Sequence, residues 1–432
     1  MIKQILKKII VFLLQTEAKL ILRKYKPKIV AVSGTVGKTS AKDAIALVLG
    51  NKFSVRKSEK SYNSEIGVPL TIIGARSAWN NFFQWIFILF KGLKVFFREK
   101  NYPQWLILEM GVDRPKDMER LVKWIRPDIA IITTLVEIPV HVEYFKGPEE
   151  LIKEKIKLIK KLKPENYAIL NGDDKILPEL KEKTEANIIT YGFSENLDLI
   201  ASNYHLSSEG ITFKIDYKGN IVPIRIPGVF GRQYVYSALT GITVGISQGL
   251  NLVEAAEALS KFKPPPGRLN LIEGIKNSFI FDDSYNSSPI AAAAALEALK
   301  ELSEYMSTIK PGRKIAVLGD MLELGKFTID EHKKVGKLVK EIGADLLFTV
   351  GPRSKFTTEE AQAVGFDPKN IFEFSTSDEA KKAVQEKIQE NDLILVKGSQ
   401  SMRMEKIVEE IMAHPELKEQ LLARQEKEWQ NR

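Results

Sequence analysis

Val30-Ala31-Val32-Ser33-Gly34-Thr35-Val36-Gly37-Lys38-Thr39-Ser40 is the stretch on which the fold reading turns. The apolar residues from Val30 read as a buried strand, the two glycines as a turn, and Lys38-Thr39-Ser40 as the opening of a helix. Glycines let backbone N–H groups approach phosphate oxygens, and a helix N-terminus adds favourable partial charge. Lys38 can reach the terminal phosphates of a nucleotide, and the Thr39 hydroxyl can ligate Mg²⁺. The spacing is a shorter variant, because Val32 stands where the first glycine of GxxxxGK[ST] belongs. A chance Gly-x-x-Gly-Lys-Thr is the competing reading. The strand before and the helix after argue against it, so nucleotide binding is expected.

Outward from this loop, short apolar runs alternate with helical stretches. Residues 28–32, 105–108, 128–133 and 167–170 read as buried strands, which predicts a parallel sheet. Residues 187–226 differ: the alternation in Gly210-Ile211-Thr212-Phe213-Lys214-Ile215-Asp216-Tyr217, then Lys218-Gly219-Asn220, predicts a small antiparallel section with a hairpin. A helical stretch is expected over 234–261. Pro264-Pro265-Pro266-Gly267 is the clearest linker. Beyond it the rhythm restarts at 279–281, 314–318, 345–350 and 392–396, and the polar residues after Pro415 read as a peripheral C-terminal helix. The expected fold class is α/β: a P-loop central domain with a parallel sheet and a small antiparallel section, followed by a Rossmann-like α/β C-terminal domain. The expected divisions are a basic amphipathic N-terminal helix (1–27), a central ATP-binding domain (28–266) and the C-terminal domain (267–432).

The chain has 432 residues, 44% hydrophobic and 28% charged, which excludes wholesale disorder. It has no cysteine. That excludes a disulfide scaffold, a thiolate zinc site and a cysteine nucleophile, and fits a reducing, cytoplasmic compartment. The formal charge is +9, but residues 1–28 hold eight bases (Lys3, Lys7, Lys8, Lys19, Arg23, Lys24, Lys26, Lys28) against Glu17, a net of +7. The remainder is nearly balanced, so no nucleic-acid groove is expected.

In the basic segment Ile2, Ile5, Leu6, Ile9, Leu13 and Leu20 recur at helical spacing between the lysines. Its longest apolar run, 9–14, is too short to span a bilayer, and no small-residue cleavage site follows. Two readings stand: a helix docked on the protein's own core, or an interfacial membrane helix. Residues 77–90 are 14 uncharged residues that include Trp79, Phe82, Phe83, Trp85, Phe87 and Phe90, with further aromatics to Phe97. A buried helix is the default expectation; the alternative is an aromatic surface over Trp79–Phe97 touching lipid headgroups or a partner.

The glycine loop resembles that of the Mur ligase family, G-[ST]-x-G-K-[ST]-[ST]. Five further stretches occur in family order: Asn63-Ser64-Glu65-Ile66-Gly67-Val68-Pro69-Leu70-Thr71, Leu108-Glu109-Met110-Gly111, Asp282-Asp283-Ser284-Tyr285-Asn286, Ala316-Val317-Leu318-Gly319-Asp320-Met321-Leu322-Glu323-Leu324-Gly325, and Val396-Lys397-Gly398-Ser399. The third and fourth resemble the MurF branch in particular. The resemblance covers residues 28–412. It implies an ATP- and Mg²⁺-dependent ligase that adds D-alanyl-D-alanine to a UDP-N-acetylmuramoyl tripeptide through an acyl phosphate, in peptidoglycan precursor synthesis. A monomer is expected.

By that resemblance, Gly34, Thr35, Gly37, Lys38, Thr39, Ser40 and Asn63 hold nucleotide, and Glu109 ligates Mg²⁺ beside Thr39. His141, in His-x-Glu, contacts a second Mg²⁺, and Lys155, fourteen residues later, is carbamylated and helps hold that ion. Composition alone would place Lys155 in solvent with Lys153, Lys157, Lys160 and Lys161. Arg268 lies near the γ-phosphate, and its place after the proline run suits a cation delivered by domain closure. The resemblance further implies that Asp283 and Asn286 face the nucleotide, that Tyr285, Lys397 and Ser399 face the substrate, and that His332 has a role. Asp320 and Glu323 read as turn and cap residues.

Two departures from the family pattern stand out. Members carry a domain before the glycine loop that holds the UDP end of the substrate. Here residues 1–27 precede the first strand, so UDP recognition is expected to fall to another surface or chain. Gly231-Arg232-Gln233-Tyr234-Val235-Tyr236-Ser237 stands where Gly-x-His-Asn-x-x-Asn is usual, which predicts altered nucleotide contacts. Two other functions stay open: a related ligase acting on a different or lipid-linked muramoyl peptide, and a membrane-associated nucleotide-binding scaffold without catalysis.

Overall fold

The computed structural model describes residues 2–79 and 81–430. Strands β1 (Lys28–Ser33), β2 (Val55–Lys57), β3 (Trp105–Glu109), β4 (Ile129–Ile132), β5 (Tyr167–Asn171), β6 (Asn187–Gly192), β7 (Leu199–Ser207), β8 (Gly210–Tyr217) and β9 (Asn220–Pro227) form one nine-stranded sheet, ordered β2-β3-β1-β4-β5-β6-β7-β8-β9. Pairing is parallel from β2 through β7 and antiparallel across β7, β8 and β9. The antiparallel part therefore begins at Leu199, later than the 187 expected, because β6 pairs in parallel with β5. The hairpin lies where expected: Lys218 and Gly219 both have positive φ, 53° and 82°, as a two-residue type I′ turn requires.

Strand alternation sends two sets of side chains to opposite faces. Val30, Val32, Ile107, Ile129 and Ile131 meet the helices Lys38–Gly50 and Gln233–Ser247. Gly241 sits 3.1 Å from Ala44 as measured from an added Cβ, which lets those two helices approach closely. On the other face, Ile29, Ala31, Leu106, Leu108 and Ile132 meet the helices Ile2–Tyr25, Gly67–Ile73 and Phe82–Arg98. Covering both faces is what a parallel sheet demands. The helix expected over 234–261 is two helices, Gln233–Ser247 and Leu252–Leu259. Gly249 (φ 76°) ends the first and Asn251, in a capping box with Glu254, starts the second.

A second sheet holds β10 (Asn270–Glu273), β11 (Phe279–Asp283), β12 (Lys314–Gly319), β13 (Leu346–Val350), β14 (Ile371–Phe374) and β15 (Leu393–Lys397), ordered β10-β11-β15-β12-β13-β14. All its pairings are parallel except β10 with β11. This is the expected α/β class. Strands β2, β10 and β14 escape sequence reading because they are short edge strands with mixed burial.

Three segments correct the sequence reading. After Pro415 there is no single peripheral helix. Short turns, Pro415–Leu417 and Lys418–Leu421, lead into an irregular stretch whose Leu422, Ala423 and Arg424 are buried. Arg424 pairs with buried Glu405 and donates to the Tyr285 (2.8 Å) and Ser284 (2.6 Å) carbonyls. A buried carboxylate needs such a partner, and that need outweighs the helical preference of the tail. The aromatic helix Phe82–Arg98, capped by Asn81 on the Gln84 amide, buries Trp85, Ile88 and Val95 but turns Phe87, Phe90 and Phe97 outward. The side chain of Phe82, and Asn80, lie outside the described residues. The N-terminal helix docks through Leu14, Ala18 and Ile21, whereas Leu6, Ile9, Leu13 and Leu20, read as its apolar face, point outward. The side chains of Ile2 and Ile5 lie outside the described residues. Among those described, no helix is long and apolar enough to cross a membrane.

Glu17 lies where these two helices cross, against Gly92, and its buried Oε2 has no hydrogen-bond partner. Burial pushes its carboxyl from 4.5 up to about 7. Between those values the native state holds more protons than the unfolded state, so stability falls as pH rises through the window. Glu17→Gln removes that loss. Thermal midpoints of variant and wild type are expected to separate progressively from pH 4.5 to 7, with the variant higher, and to keep a constant gap above.

Candidate active site

The chain leaves β1 at Ser33 and turns through Gly34–Gly37 into the helix that begins at Lys38. Gly34 (φ 142°) and Gly37 (φ 82°) hold conformations that side chains resist. A Cβ on Gly34 would stand 2.0 Å from Thr133 Oγ1. Thr133, just beyond β4, donates to the Val36 carbonyl at 2.6 Å, and the Thr35 amide donates to the Thr134 carbonyl at 2.7 Å. The neighbouring strand end thus braces the loop. Lys38 Nζ arches back to the Gly34 and Thr35 carbonyls, each at 3.0 Å. Burial lowers its pKa, and the Glu109 charge opposes that shift.

Parallel pairing sets Glu109, the last residue of β3, beside Val32. Its carboxylate accepts from Thr39 Oγ1 at 3.2 and 3.3 Å and from Asn63 Nδ2 at 3.5 Å. Ser61 Oγ lies 3.0 Å from Thr39 Oγ1. Ser40, next in the helix, is buried. Lys42, one turn into the helix, is fully buried. It donates to the Ser58 and Lys60 carbonyls at 2.9 and 3.2 Å and lies 3.9 Å from Glu109 Oε2.

Lys155 is 3% exposed, unlike Lys153, Lys160 and Lys161 on the same run. Its Nζ donates to Thr35 Oγ1 at 3.0 Å. Burial, reinforced by the Lys38 charge, holds its pKa well below the ordinary lysine range. The Lys155 amine thus sits against the phosphate loop where burial disfavours its charged form.

Arg268 arrives from the start of the second unit. It donates to Thr39 Oγ1 at 3.2 Å and Ser61 Oγ at 3.5 Å, and stacks 4.3 Å over the Tyr285 ring. Its carbonyl accepts from the Tyr234 hydroxyl, and Gly267 (φ 74°) packs on Ala423 and Tyr285. The Gln233–Ser237 departure thus supplies a tyrosine that fixes the Arg268 backbone. Gln233 itself carries a buried Oε1 with no hydrogen-bond partner.

His141 lies apart from the loop. Its Nε2 is 3.3 Å from Asp113 and its Nδ1 is 2.6 Å from Glu323 of the second unit. Gly325 packs on Glu143, so the His-x-Glu segment meets the Gly-Asp-Met-Leu-Glu-Leu-Gly stretch directly. Asp113 also acts electrostatically on Lys38 and Lys155, but among the described residues no hydrogen bond or ion pair joins His141 to Lys155. Lys397 donates to Asp283 (2.6 Å) and to the Asn286 carbonyl (2.9 Å), while Asn286 accepts from the Gln400 amide. Ser399 accepts from the Leu322 amide at 2.9 Å. Asp320 takes the Arg353 and Ser354 amides, and buried His332 takes the Met321 amide. These last three hold their own loops.

Sequence reading missed Lys42, Ser61, Thr133, Asp113 and the pairing of Glu323 with His141. Asp113 had a signal, two residues past Leu-Glu-Met-Gly; the others carry none without the fold. Among the described residues, no cluster of three His, Asp or Glu side chains could hold a metal alone. Thr39 and Glu109 do present paired hard oxygens, which suit an ion completed by phosphate oxygens and water. Gly34→Ala is expected to abolish measurable nucleotide binding in titration calorimetry while leaving the circular dichroism spectrum unchanged, since the clash is confined to the loop and the Thr133 side chain that braces it.

Residues 92–245 match the Mur ligase middle domain, and residues 267–400 match the Mur ligase glutamate ligase domain. The UDP-N-acetylmuramoyl-tripeptide–D-alanyl-D-alanine ligase of Bacillus subtilis is 30% identical over 402 residues, which cover 93% of this chain and 79% of that relative. The Escherichia coli enzyme of the same description is 27% identical, covering 88% and 76%. Among solved structures, MurF ligase from Thermotoga maritima in complex with ADP superposes with a TM-score of 0.74 at 24% identity, covering 93% and 83%. MurF from Acinetobacter baumannii gives 0.75 at 21%, covering 92% and 79%. With the phosphate loop, its bracing strand ends and the arginine from the second unit in place, the chain belongs to the Mur ligase family.

Proposed function

We propose that the protein is an ATP-dependent peptide ligase that joins D-alanyl-D-alanine to the tripeptide of a UDP-N-acetylmuramoyl precursor, acting in the cytoplasm as a monomer. The observation that carries this reading is that Arg268 from the second unit reaches Thr39 of the first, whose hydroxyl in turn donates to Glu109. A phosphoryl-transfer site needs cations and donors fixed around the moving phosphate before reaction. The loop amides and Lys38 hold the β- and γ-phosphates. Arg268 neutralises charge that develops on the transferring group.

In each half of the reaction one bond between heavy atoms forms and one breaks. A substrate carboxylate oxygen attacks the γ-phosphorus as the bond to ADP breaks, giving an acyl phosphate. The dipeptide amine nitrogen then attacks the acyl carbon, phosphate departs, and the amine proton is lost. Thr39 and Glu109 would hold Mg²⁺, which supplies charge neutralisation on the phosphates when bound. His141 and Lys155, implied for a second ion, share no hydrogen bond or ion pair among the described residues. Burial disfavours the charged form of Lys155 and so favours the free amine, the form that reacts with CO₂; carbamylation fits that buried position. Asp283, Tyr285 and Asn286 line the approach from the second unit, with Lys397 holding Asp283 in place.

A second acceptor, a lipid-linked muramoyl peptide, is favoured by the outward phenylalanines of the helix Phe82–Arg98. Purified protein with Mg²⁺-ATP, D-Ala-D-Ala and UDP-muramoyl tripeptide is expected to release phosphate only when both substrates are present, with a product heavier by one dipeptide less water. Lys38→Ala should abolish this turnover. Arg268→Ala should lower kcat by on the order of 10³-fold with little change in ADP affinity. Full turnover by Lys38→Ala, or phosphate release independent of the dipeptide, would overturn the assignment.

A further inference from the structure

The helices Ile2–Tyr25 and Phe82–Arg98 run side by side in the same direction: Glu17 packs on Gly92, and the Tyr25 hydroxyl donates to the Val95 (2.7 Å) and Glu99 (2.9 Å) carbonyls. Their inner faces anchor them to the sheet. Their outer faces are apolar and uncovered: Phe12 is 68% exposed, Phe87 78%, Phe90 65% and Phe97 70%, with Ile9 and Leu93 between 43% and 49%. Single exposed apolar residues need no explanation, but a run of phenylalanines along two adjoining helices does.

Charge identifies the occupant. The two helices carry nine bases and one acid, Glu17, which is turned into the helix crossing. Lys91, Lys94 and Arg98 flank the phenylalanines on one side. On the other, Lys7, Lys8, Lys19, Arg120 and Lys123 line a groove of about 740 Å³ in which Glu65 is the one acid among the described residues. A second copy of the chain would bring these like charges together, and neither helix is long and apolar enough to cross a bilayer. An apolar stripe bordered by lysines is the form of a helix lying in a lipid interface, its apolar side chains about 5–10 Å deep and its bases among anionic headgroups.

We propose that these two helices form a docking surface for an anionic phospholipid bilayer, with the basic groove taking headgroup phosphates. Glu65 in that groove is two residues from Asn63, which donates to Glu109 of the phosphate site. The surface stands apart from the ligase reading: lipid-free turnover and vesicle binding are separate readouts, and either can fail alone.

The test is co-sedimentation of the full chain with phosphatidylcholine vesicles, with and without phosphatidylglycerol. Binding is expected with phosphatidylglycerol, and it should weaken sharply at about 1 M salt, where the Debye length falls to about 3 Å. Phe87→Glu combined with Phe90→Glu should reduce partitioning by roughly tenfold or more with an unchanged thermal midpoint, since both side chains are exposed. Lys7→Glu with Lys8→Glu, in the groove, should greatly weaken the preference for phosphatidylglycerol, and Lys91→Glu with Lys94→Glu should weaken it further. No binding to anionic vesicles, or equal binding by the double phenylalanine variant, overturns the proposal. So does dimerisation in light scattering that the same variant abolishes, because the face would then belong to a second copy.

Discussion

Parallel pairing of β1 between β3 and β4 is the constraint on which the rest depends. It sets three strand ends side by side, and each delivers one part of the phosphate site: the glycine loop from β1, Glu109 from β3, and the Thr133–Thr134 brace from β4. The loop backbone is held in positive φ by close packing on Thr133, which a side chain at residue 34 would destroy. Both sheet faces must be covered for such pairing to persist. The helices that cover one face carry Lys38, Thr39 and Lys42, so core packing and site geometry are the same interaction seen from two ends.

The second unit is tied to the first at places that matter chemically. Arg268 reaches Thr39, Tyr234 holds the Arg268 carbonyl, and Glu323 meets His141. The C-terminal stretch adds a strap: Arg424 is buried on Glu405 and the Ser284 and Tyr285 carbonyls, Glu426 pairs with Lys60, and Trp429 meets Trp79 edge-on. Charged side chains in low dielectric are costly without partners. The strap therefore fixes the backbone on either side of the Tyr285 ring on which Arg268 stacks. Tight pairing of Lys397 with Asp283 has the same effect on the strand end beneath.

The two outer helices show a different division of labour. Their inward residues complete the core beneath β1 and β3, and their outward residues leave much of their apolar area in water. Exposing phenylalanines to water is unfavourable by the apolar area left uncovered, so the energetic reason for them must lie outside the chain's own core.

Local pattern determined much of the fold and part of the site. Continuous apolar runs marked the central strands, the glycine–lysine–threonine spacing marked the phosphate loop, and the family motifs marked Glu109, Lys155 and Arg268. Periodicity cannot say which side of an amphipathic helix meets the core when both sides hold apolar residues. That is why burial was the wrong expectation for Phe87, Phe90 and Phe97, and why Leu14, Ala18 and Ile21 were passed over. Sequence spacing also could not separate Lys155 from its neighbours on physical grounds; its desolvation exists only once Thr35 and Lys38 are packed against it. Lys42, Thr133 and the Glu323–His141 contact join residues up to 182 positions apart. Such contacts are decided by which strand ends and which units come together, so only the tertiary structure could place them.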